Sequence, residues 1–209
     1  MRVYVAVPCL DKISARFAQC IADLESPKDT DVKIHYNIGT LVYDSRDSLA
    51  EKAIGSRSEY TFWLDSDMTF MPDTLVMMLD TMQKENLDIL VGMYYRRRHP
   101  FTPTLFKRFD ISPTAGIRQE EFDEIPNGLF KVAACGFGCV LMKTDVLMNV
   151  LVKHGAMFSP INKVGEDISF CVRARQCGYD IWCDPSIALG HEVHTIITRS
   201  NRSQFIHGQ

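Results

Sequence analysis

Residues 60–70 read YTFWLDSDMTF, an apolar, aromatic run that ends in two aspartates separated by one serine. Short apolar runs of this kind are typical of strands buried inside a sheet. Burying a carboxylate costs several kcal/mol unless a positive group meets it. A fold that accepts Asp65 and Asp67 at the end of a buried strand must therefore supply a positive partner for them.

The rest of the chain alternates short apolar runs with segments of helical spacing. The pattern predicts strands over residues 3–7, 32–38, 60–64, 89–94, 131–142, 181–183 and 187–189, and helices over residues 13–24, 44–54, 72–82, 145–154 and 167–176. Residues 131–142 form either a strand pair or one long strand interrupted by CGFGC, and residues 96–130 are expected to be irregular loops that face an acceptor. This alternation predicts an α/β layered fold with a mostly parallel central sheet.

Composition limits the classes of protein that fit. The 209 residues suffice for one compact domain, and the net charge of -3 gives no general attraction to nucleic acid or anionic membranes. No apolar run approaches the roughly 20 residues that cross a bilayer, and the N-terminal MRVYVAVPCL is expected to be a first strand rather than a signal peptide, so we expect a cytoplasmic protein. The seven cysteines contain no CxxC and are expected to be reduced, buried thiols.

The two aspartates have a chemical and a structural interpretation. Side chains at i and i+2 of an extended segment point the same way, so Asp65 and Asp67 can face one site. Paired carboxylates suit Mg²⁺ or Mn²⁺, which keep open positions for phosphate oxygens. Alternatively, the aspartates cap the helix that begins near Pro72 or lie solvated in a turn.

Four stretches resemble a known family. The run SRDSLAEKAIGSRSEYTFWLDSDMTFMPDTL resembles the centre of a nucleotide-sugar glycosyltransferase of the GT-A fold, in the family-two-like group, with its DXD motif. VAVPCLD resembles the family's first strand and loop, ACGFGCVLMKTDVL its glycine-rich turn and next strand, and GEDISFCVRARQCGYDIWCDPSIALGH its acidic helix and late histidine. The resemblance covers most of residues 1–194 and weakens across 96–130. It implies a Rossmann-like three-layer sandwich with a small antiparallel element, formed by residues 1–198 and followed by a tail of residues 199–209.

The resemblance also implies roles for particular residues. Asp67 would bind the metal directly, and His191 would complete the site with Asp65, although a histidine there is also compatible with a capping role. His194, three residues on, is expected to point away. Asp11 is a less typical match, because this chain has Cys-Leu-Asp where the family often has Tyr-Asn-Glu. The residues implied to bind the nucleotide-sugar are Pro8, Asp11, Arg46, Asp65, Ser66 and Gly136.

Glu166 and Asp167 open a predicted helix, where the helix dipole alone favours carboxylates. Adjacent helical residues diverge in direction, so only one of them can face an acceptor. The resemblance implies that Asp167 is the general base of a metal-dependent transfer. Its neighbour Glu166 is the other implied catalytic carboxylate. The implied donor is a UDP-sugar, the implied cofactor Mn²⁺ or Mg²⁺, and the implied outcome inversion at the sugar carbon.

Alternatives remain open at this point. A sugar-phosphate nucleotidyltransferase shares the fold but normally has a longer glycine-rich loop with arginine and lysine, which VPCLDKISARF lacks. A non-catalytic nucleotide-sugar-binding module is the other alternative. The acceptor is open between a saccharide, a protein, a lipid head group and a modified nucleic-acid base. The basic run YYRRRHP at 94–100 is either a solvated loop or a segment that binds a diphosphate or a phosphorylated acceptor. The CGFGC motif is either a tight turn or a place where the backbone closely approaches the sugar.

Overall fold

The computed structural model of the protein describes residues 1–39, 41–112, 114, 116–193, 195 and 199. His194 and residues 200–209 of the expected tail lie outside the described residues, so the expectations about them stay predictions. The helices are α1 Ala15–Ala22, α2 Val42–Gly55, α3 Thr74–Lys84, α4 Thr144–His154 and α5 Glu166–Gln176. The strands are β1 Arg2–Cys9, β2 Asp31–Ile38, β3 Tyr60–Leu64, β4 Met68–Thr69, β5 Ile89–Met93, β6 Leu105–Ser112, β7 Gly116–Glu121, β8 Phe130–Val132, β9 Ala134–Cys135, β10 Cys139–Lys143, β11 Ile181–Ala188 and β12 Gly190–His191.

Seven strands form the central sheet in the order β2-β1-β3-β10-β5-β11-β8. Strand β1 pairs in parallel with β2 and β3, and β5 pairs in parallel with β11. Because β10 runs antiparallel to both β3 and β5, these two strands share a direction, and only β10 and β8 oppose the rest of this sheet. The predicted mostly parallel sheet is confirmed, and the carboxyl ends of β1, β3, β5 and β11 meet at one edge.

Helices cover both faces of this sheet. Side chains alternate along β3, so that Trp63 joins one apolar cluster while Phe62 and Leu64 join the other. The first cluster contains buried residues of α2, α4 and α5, and the second contains those of α1 and α3. Strands buried on both faces explain the continuous apolar runs in the sequence. The predicted three-layer sandwich is therefore confirmed.

Residues 96–130 differ from the sequence expectation. They contain the antiparallel pair β6–β7, which joins β9 in a second, three-stranded sheet. Strand β7, GIRQEE, is exposed along nearly its whole length, so it has no buried apolar face to produce a periodic signal. Its pairing with β6 determines its conformation, which the expectation of irregular loops missed.

Two further differences concern strand ends. Strand β1 continues through Pro8 to Cys9, and since β3 pairs only with residues 3–6, Pro8 breaks no hydrogen-bond ladder on that side. The two short strands expected near residue 185 are one strand, β11, with an irregular register between Asp184 and Ala188. The seven cysteines, all within the described residues, form no disulfide. Among the helices of the described ranges, none is long and apolar enough to cross a membrane.

The CGFGC turn packs directly on Tyr94. The backbone N–H of Gly138 donates a hydrogen bond of 2.8 Å to the Tyr94 hydroxyl. A Cβ atom at Gly138 would lie 2.6 Å from Cζ of Tyr94 and 2.9 Å from Sδ of Met68, both closer than real Cβ contacts allow. Glycine at this position therefore permits the close approach of the turn to a buried aromatic ring.

We expect Gly138→Ala to destabilise the protein by about 1–3 kcal/mol, because the added methyl group overpacks the Tyr94 contact. Chemical denaturation monitored by circular dichroism measures the free energy of unfolding. Gly55→Ala is the matched control, because a Cβ there meets nothing within 4 Å at the end of α2. Equal midpoints for the two variants would contradict this account of the turn.

Candidate active site

A cleft of about 830 Å³ opens at the carboxyl edge of the central sheet. It gathers side chains from segments far apart in the sequence, as expected for ligand sites in open α/β sheets. Asp11, an expected nucleotide-binding residue, does not line it and is exposed. The expected site residues that do line the cleft are Pro8, Arg46, Asp65, Ser66, Asp67, Gly136, Glu166, Asp167 and His191.

Arg46 is the positive partner of the first aspartate. It lies on α2 with a side chain only 3 % exposed, and its Nη2 donates to Oδ1 of Asp65 at 2.8 Å. Its Nε donates to Oε1 of Glu166 at 3.2 Å. One buried guanidinium therefore joins the acid that follows β3 to the acid that opens α5.

The surroundings of Arg46 keep it charged. Burial lowers the pKa of the guanidinium, but the nearby carboxylates of Asp65 and Glu166 raise it above its ordinary value. The guanidinium also lies 5.3–6.0 Å from the ring centres of Trp63, Phe137 and Phe158. Such contacts stabilise a cation most where water is excluded. The buried Nη1 has no hydrogen-bond partner among the described residues.

Asp67 has different partners from Asp65. Its Oδ2 lies 2.7 Å from Nη1 of Arg97 and 3.5 Å from Nε2 of His191. Although burial alone would raise the pKa of Asp67, the hydrogen bond and charge of His191 together with Arg97 hold it below its usual value. Helix α3 begins at Thr74 with Asp73 as its N-cap residue, so neither acid of the DSD segment occupies that capping position.

The ring of His191 is oriented by the backbone. Its Nδ1 lies 2.9 Å from the carbonyl oxygen of Tyr95, which can only accept a hydrogen bond. Nδ1 therefore carries a proton, and in the neutral ring Nε2 presents its lone pair toward Asp67. Burial lowers the pKa of His191, but the hydrogen bonds to Asp67 and to the Tyr95 carbonyl raise it above its usual value.

These two side chains fit one divalent cation. Neighbouring ligands of an octahedral Mg²⁺ lie roughly 2.9 Å apart, and the 3.5 Å between Asp67 Oδ2 and His191 Nε2 is only slightly wider. A histidine ligand typically donates its second ring N–H to a carbonyl or carboxylate, as His191 does to Tyr95. The described part of the chain contains no group of three or more His, Cys, Asp and Glu side chains that could hold a metal. Asp67 and His191 are thus two potential ligands, and Asp65 is held by Arg46.

Among the acids that line the cleft, Asp167 is the one that forms no ion pair with a cationic side chain of the described residues. Its Oδ1 accepts a hydrogen bond of 2.7 Å from the backbone N–H of Ile168, whereas the neighbouring Glu166 pairs with Arg46. Burial, followed by the charge of Glu166, raises the pKa of Asp167 to about 6, against the lowering effects of the Ile168 N–H and Arg46. A buried carboxylate with a pKa close to neutrality is suited to proton transfer.

The loop before α5 is fixed by contacts that the sequence did not indicate. The N–H of Phe158 donates to Oδ1 of Asp47 at 2.9 Å, and Nη1 of Arg173 donates to the carbonyl of Met157 at 2.9 Å. The N–H of Ile161 donates to Oγ of Ser169. These bonds position the start of the helix that carries Glu166 and Asp167.

Sequence reasoning also missed part of the cleft wall. The sequence indicates a basic run at 94–100, but the ion pair of Arg97 with Asp67 has no sequence signal, because residues 67 and 97 are linked only through the fold. The CGFGC motif contains Phe137 but indicates no role for its side chain. Lining residues to which the sequence assigned no role include Ser45, Thr104, Phe106 and Phe137.

The layered sheet with an acid-lined cleft at its carboxyl edge defines the GT-A class of fold. Residues 16–151 match the family model of Glycosyl transferase family 2. The match spans more than half of the chain, and the protein belongs to this family and is a glycosyltransferase. The matched part includes Arg46, Asp65 and Asp67 and ends before α5.

Two solved structures share the fold. A197 from STIV superposes with a TM-score of 0.63 at 15 % identity, over 95 % of this chain and 97 % of that chain. GalNAc-T7, solved with UDP, GalNAc and Mn²⁺, gives a TM-score of 0.61 at 11 % identity, over 90 % of this chain and 43 % of that chain. At these identities the likeness concerns the fold. The sequence matches none of the curated proteins.

Proposed function

We propose that the protein transfers a sugar from a nucleoside-diphosphate donor, a UDP-sugar, to an acceptor hydroxyl with inversion at the sugar carbon, assisted by Mn²⁺ or Mg²⁺. The observation that carries this proposal is the unequal pairing of the acids in the cleft. Arg46 engages Asp65 and Glu166. Asp67 and His191, which Arg46 does not engage, are the side chains left for a cation that replaces Arg97 at Asp67, and Asp167 is left for a proton.

The donor would occupy the part of the cleft between β1, α2 and the DSD segment. Pro8 and Arg46 line it from one side, and Asp65 and Ser66 from the other. Gly136 also lines the cleft, and a Cβ there would collide with the Tyr94 hydroxyl, so glycine at this position permits close packing against Tyr94. GalNAc-T7 was solved with UDP and Mn²⁺, which supports this choice of donor and cation.

Asp67 and His191 are the residues that would hold the cation. A divalent ion with two protein ligands keeps positions for diphosphate oxygens and water, as is usual for Mg²⁺ at phosphate sites. Bound there, the cation would neutralise the charge that develops on the departing nucleoside diphosphate.

Asp167 would act as the general base. Its carboxylate takes the proton of the acceptor hydroxyl while the acceptor oxygen forms a bond to the anomeric carbon and the bond from that carbon to the phosphate oxygen breaks. The nearby charge of Glu166, which pairs with Arg46, adds to burial in raising the pKa of Asp167. Attack from the face opposite the leaving group inverts the sugar carbon. Membership of the glycosyltransferase family favours this reaction over nucleotidyl transfer.

Two substitutions separate binding from chemistry. We expect Asp67→Asn to abolish Mn²⁺-dependent UDP binding, because it removes the negative charge that holds the cation. We expect Asp167→Asn to keep UDP binding within about twofold and to lower turnover of UDP-sugar by about 10²–10⁴-fold, the usual contribution of a general base. Calorimetry measures binding, and UDP release measures turnover. Full turnover by Asp167→Asn would show that Asp167 is not the base.

The pH dependence of turnover provides a second test. Because the base works only as a carboxylate, kcat at saturating UDP-sugar and Mn²⁺ should fall as the pH drops through about 6 and level off above it. Burial lowers the pKa of His191, but its hydrogen bonds to Asp67 and to the Tyr95 carbonyl raise it above its usual value, so UDP affinity at fixed Mn²⁺ is measured over the same pH values to follow its protonation separately. A kcat that stays constant from pH 8 to about pH 5 would contradict the assignment of Asp167.

A further inference from the structure

Arg97 contacts the carboxylate oxygen that a cation would use. Its Nη1 lies 2.7 Å from Oδ2 of Asp67, and Nε2 of His191 faces this same oxygen at 3.5 Å. A divalent ion bound between Asp67 and His191 would bring a second positive charge to that oxygen. The guanidinium and the cation therefore compete for Asp67.

Among the three adjacent arginines, Arg97 is the one that can be displaced from an acid. Arg96 is held by Glu121 at 2.8 Å and lies over the ring of Phe106. The Arg98 side chain contacts no charged partner within the described ranges, although it also lines the cleft. The Arg97 side chain is 51 % exposed, and ion pairs this exposed contribute little free energy, so a divalent cation can replace it.

The backbone that carries Arg97 stays anchored when the side chain leaves Asp67. The N–H of Arg96 donates to the carbonyl of Thr102 at 2.9 Å, and the N–H of Phe101 donates to the carbonyl of Arg98 at 2.8 Å. The released guanidinium therefore remains at the wall of the cleft. The new anion there is the diphosphate of the donor, and a guanidinium forms paired hydrogen bonds with phosphate oxygens.

We propose that Arg97 and the divalent cation exchange at Asp67. In the free enzyme Arg97 neutralises Asp67, and when the cation binds with the nucleoside diphosphate, Arg97 moves its ion pair from the carboxylate to the diphosphate. This inference rests on the proposed function and assigns Arg97 a positioning role in donor binding. The cation alone binds weakly because it must displace Arg97, and the nucleotide strengthens its binding because it gives Arg97 a new partner. The two ligands strengthen each other by the same factor.

The test measures Mn²⁺ affinity with and without UDP, by electron paramagnetic resonance of free Mn²⁺. We expect Arg97→Gln to bind Mn²⁺ alone about two- to fivefold more tightly than the wild type, the range expected for loss of an exposed ion pair. UDP should then strengthen Mn²⁺ binding by a smaller factor than in the wild type, because the contact of Arg97 with the diphosphate is lost.

Arg98→Gln is the matched control, since it removes the same charge from the next residue without touching Asp67. Its affinity for Mn²⁺ alone should stay close to that of the wild type. An equal gain in both variants would mean that only the general charge of the loop matters, and unchanged or weaker Mn²⁺ binding by Arg97→Gln would also overturn the exchange. Thermal unfolding of both variants verifies that they fold.

The same measurements distinguish this inference from the proposed function. If the wild type fails to bind Mn²⁺ even with UDP present, the proposed cation site is wrong, and the proposed exchange of Arg97 with the cation is then wrong as well. If the wild type binds Mn²⁺ and UDP cooperatively but Arg97→Gln retains the full cooperativity, only the exchange is wrong.

Discussion

The buried guanidinium of Arg46 is the interaction on which the site depends. Three carboxylates, those of Asp65, Glu166 and Asp167, lie close together at the carboxyl edge of the sheet. The buried guanidinium of Arg46 directly contacts the first two. Charges buried without partners are costly, whereas an ion pair with good hydrogen bonds is tolerated. Aromatic rings surround Arg46, which excludes water and strengthens its attraction to both acids. The fold can therefore place several acids in one cleft because α2 contributes this residue.

The pairing of Arg46 assigns different chemistry to similar residues. Asp65 and Asp67 are two positions apart, yet one binds a buried arginine and the other faces His191 and an exposed arginine. Glu166 and Asp167 are adjacent, yet only Glu166 contacts Arg46, and burial followed by the charge of Glu166 raises the pKa of Asp167. The partner of each carboxylate, more than whether it is an aspartate or a glutamate, determines its proposed role: to hold Arg46 in place, to bind a cation or to accept a proton. The proposed function follows from this difference.

Much of the fold and the members of the cleft could be predicted from the sequence, for physical reasons. Continuous apolar runs such as β3 indicate strands buried on both faces, and the DSD segment lies at the end of one. Strand β7 could not be predicted, because an exposed strand has no apolar periodicity. The partners of the two aspartates could not be predicted either, since the pairs of Arg46 with Asp65 and of Arg97 with Asp67 depend on side-chain directions that only the folded chain fixes. The sequence predicted a metal ion as the positive partner of both acids; that stays a prediction, and the structure adds an arginine partner for each of them.

The most direct measurement of the central claim compares the stability of two variants at pH 7. Arg46→Met alone leaves the partly buried acids Asp65 and Glu166 without their cation and should lower the free energy of unfolding by about 1–3 kcal/mol. Adding Asp65→Asn and Glu166→Gln removes those charges, so the triple variant should be more stable than Arg46→Met alone by more than about 1 kcal/mol. Equal stability of the two variants, or an Arg46→Met protein as stable as the wild type, would contradict the claim that Arg46 holds these acids in place.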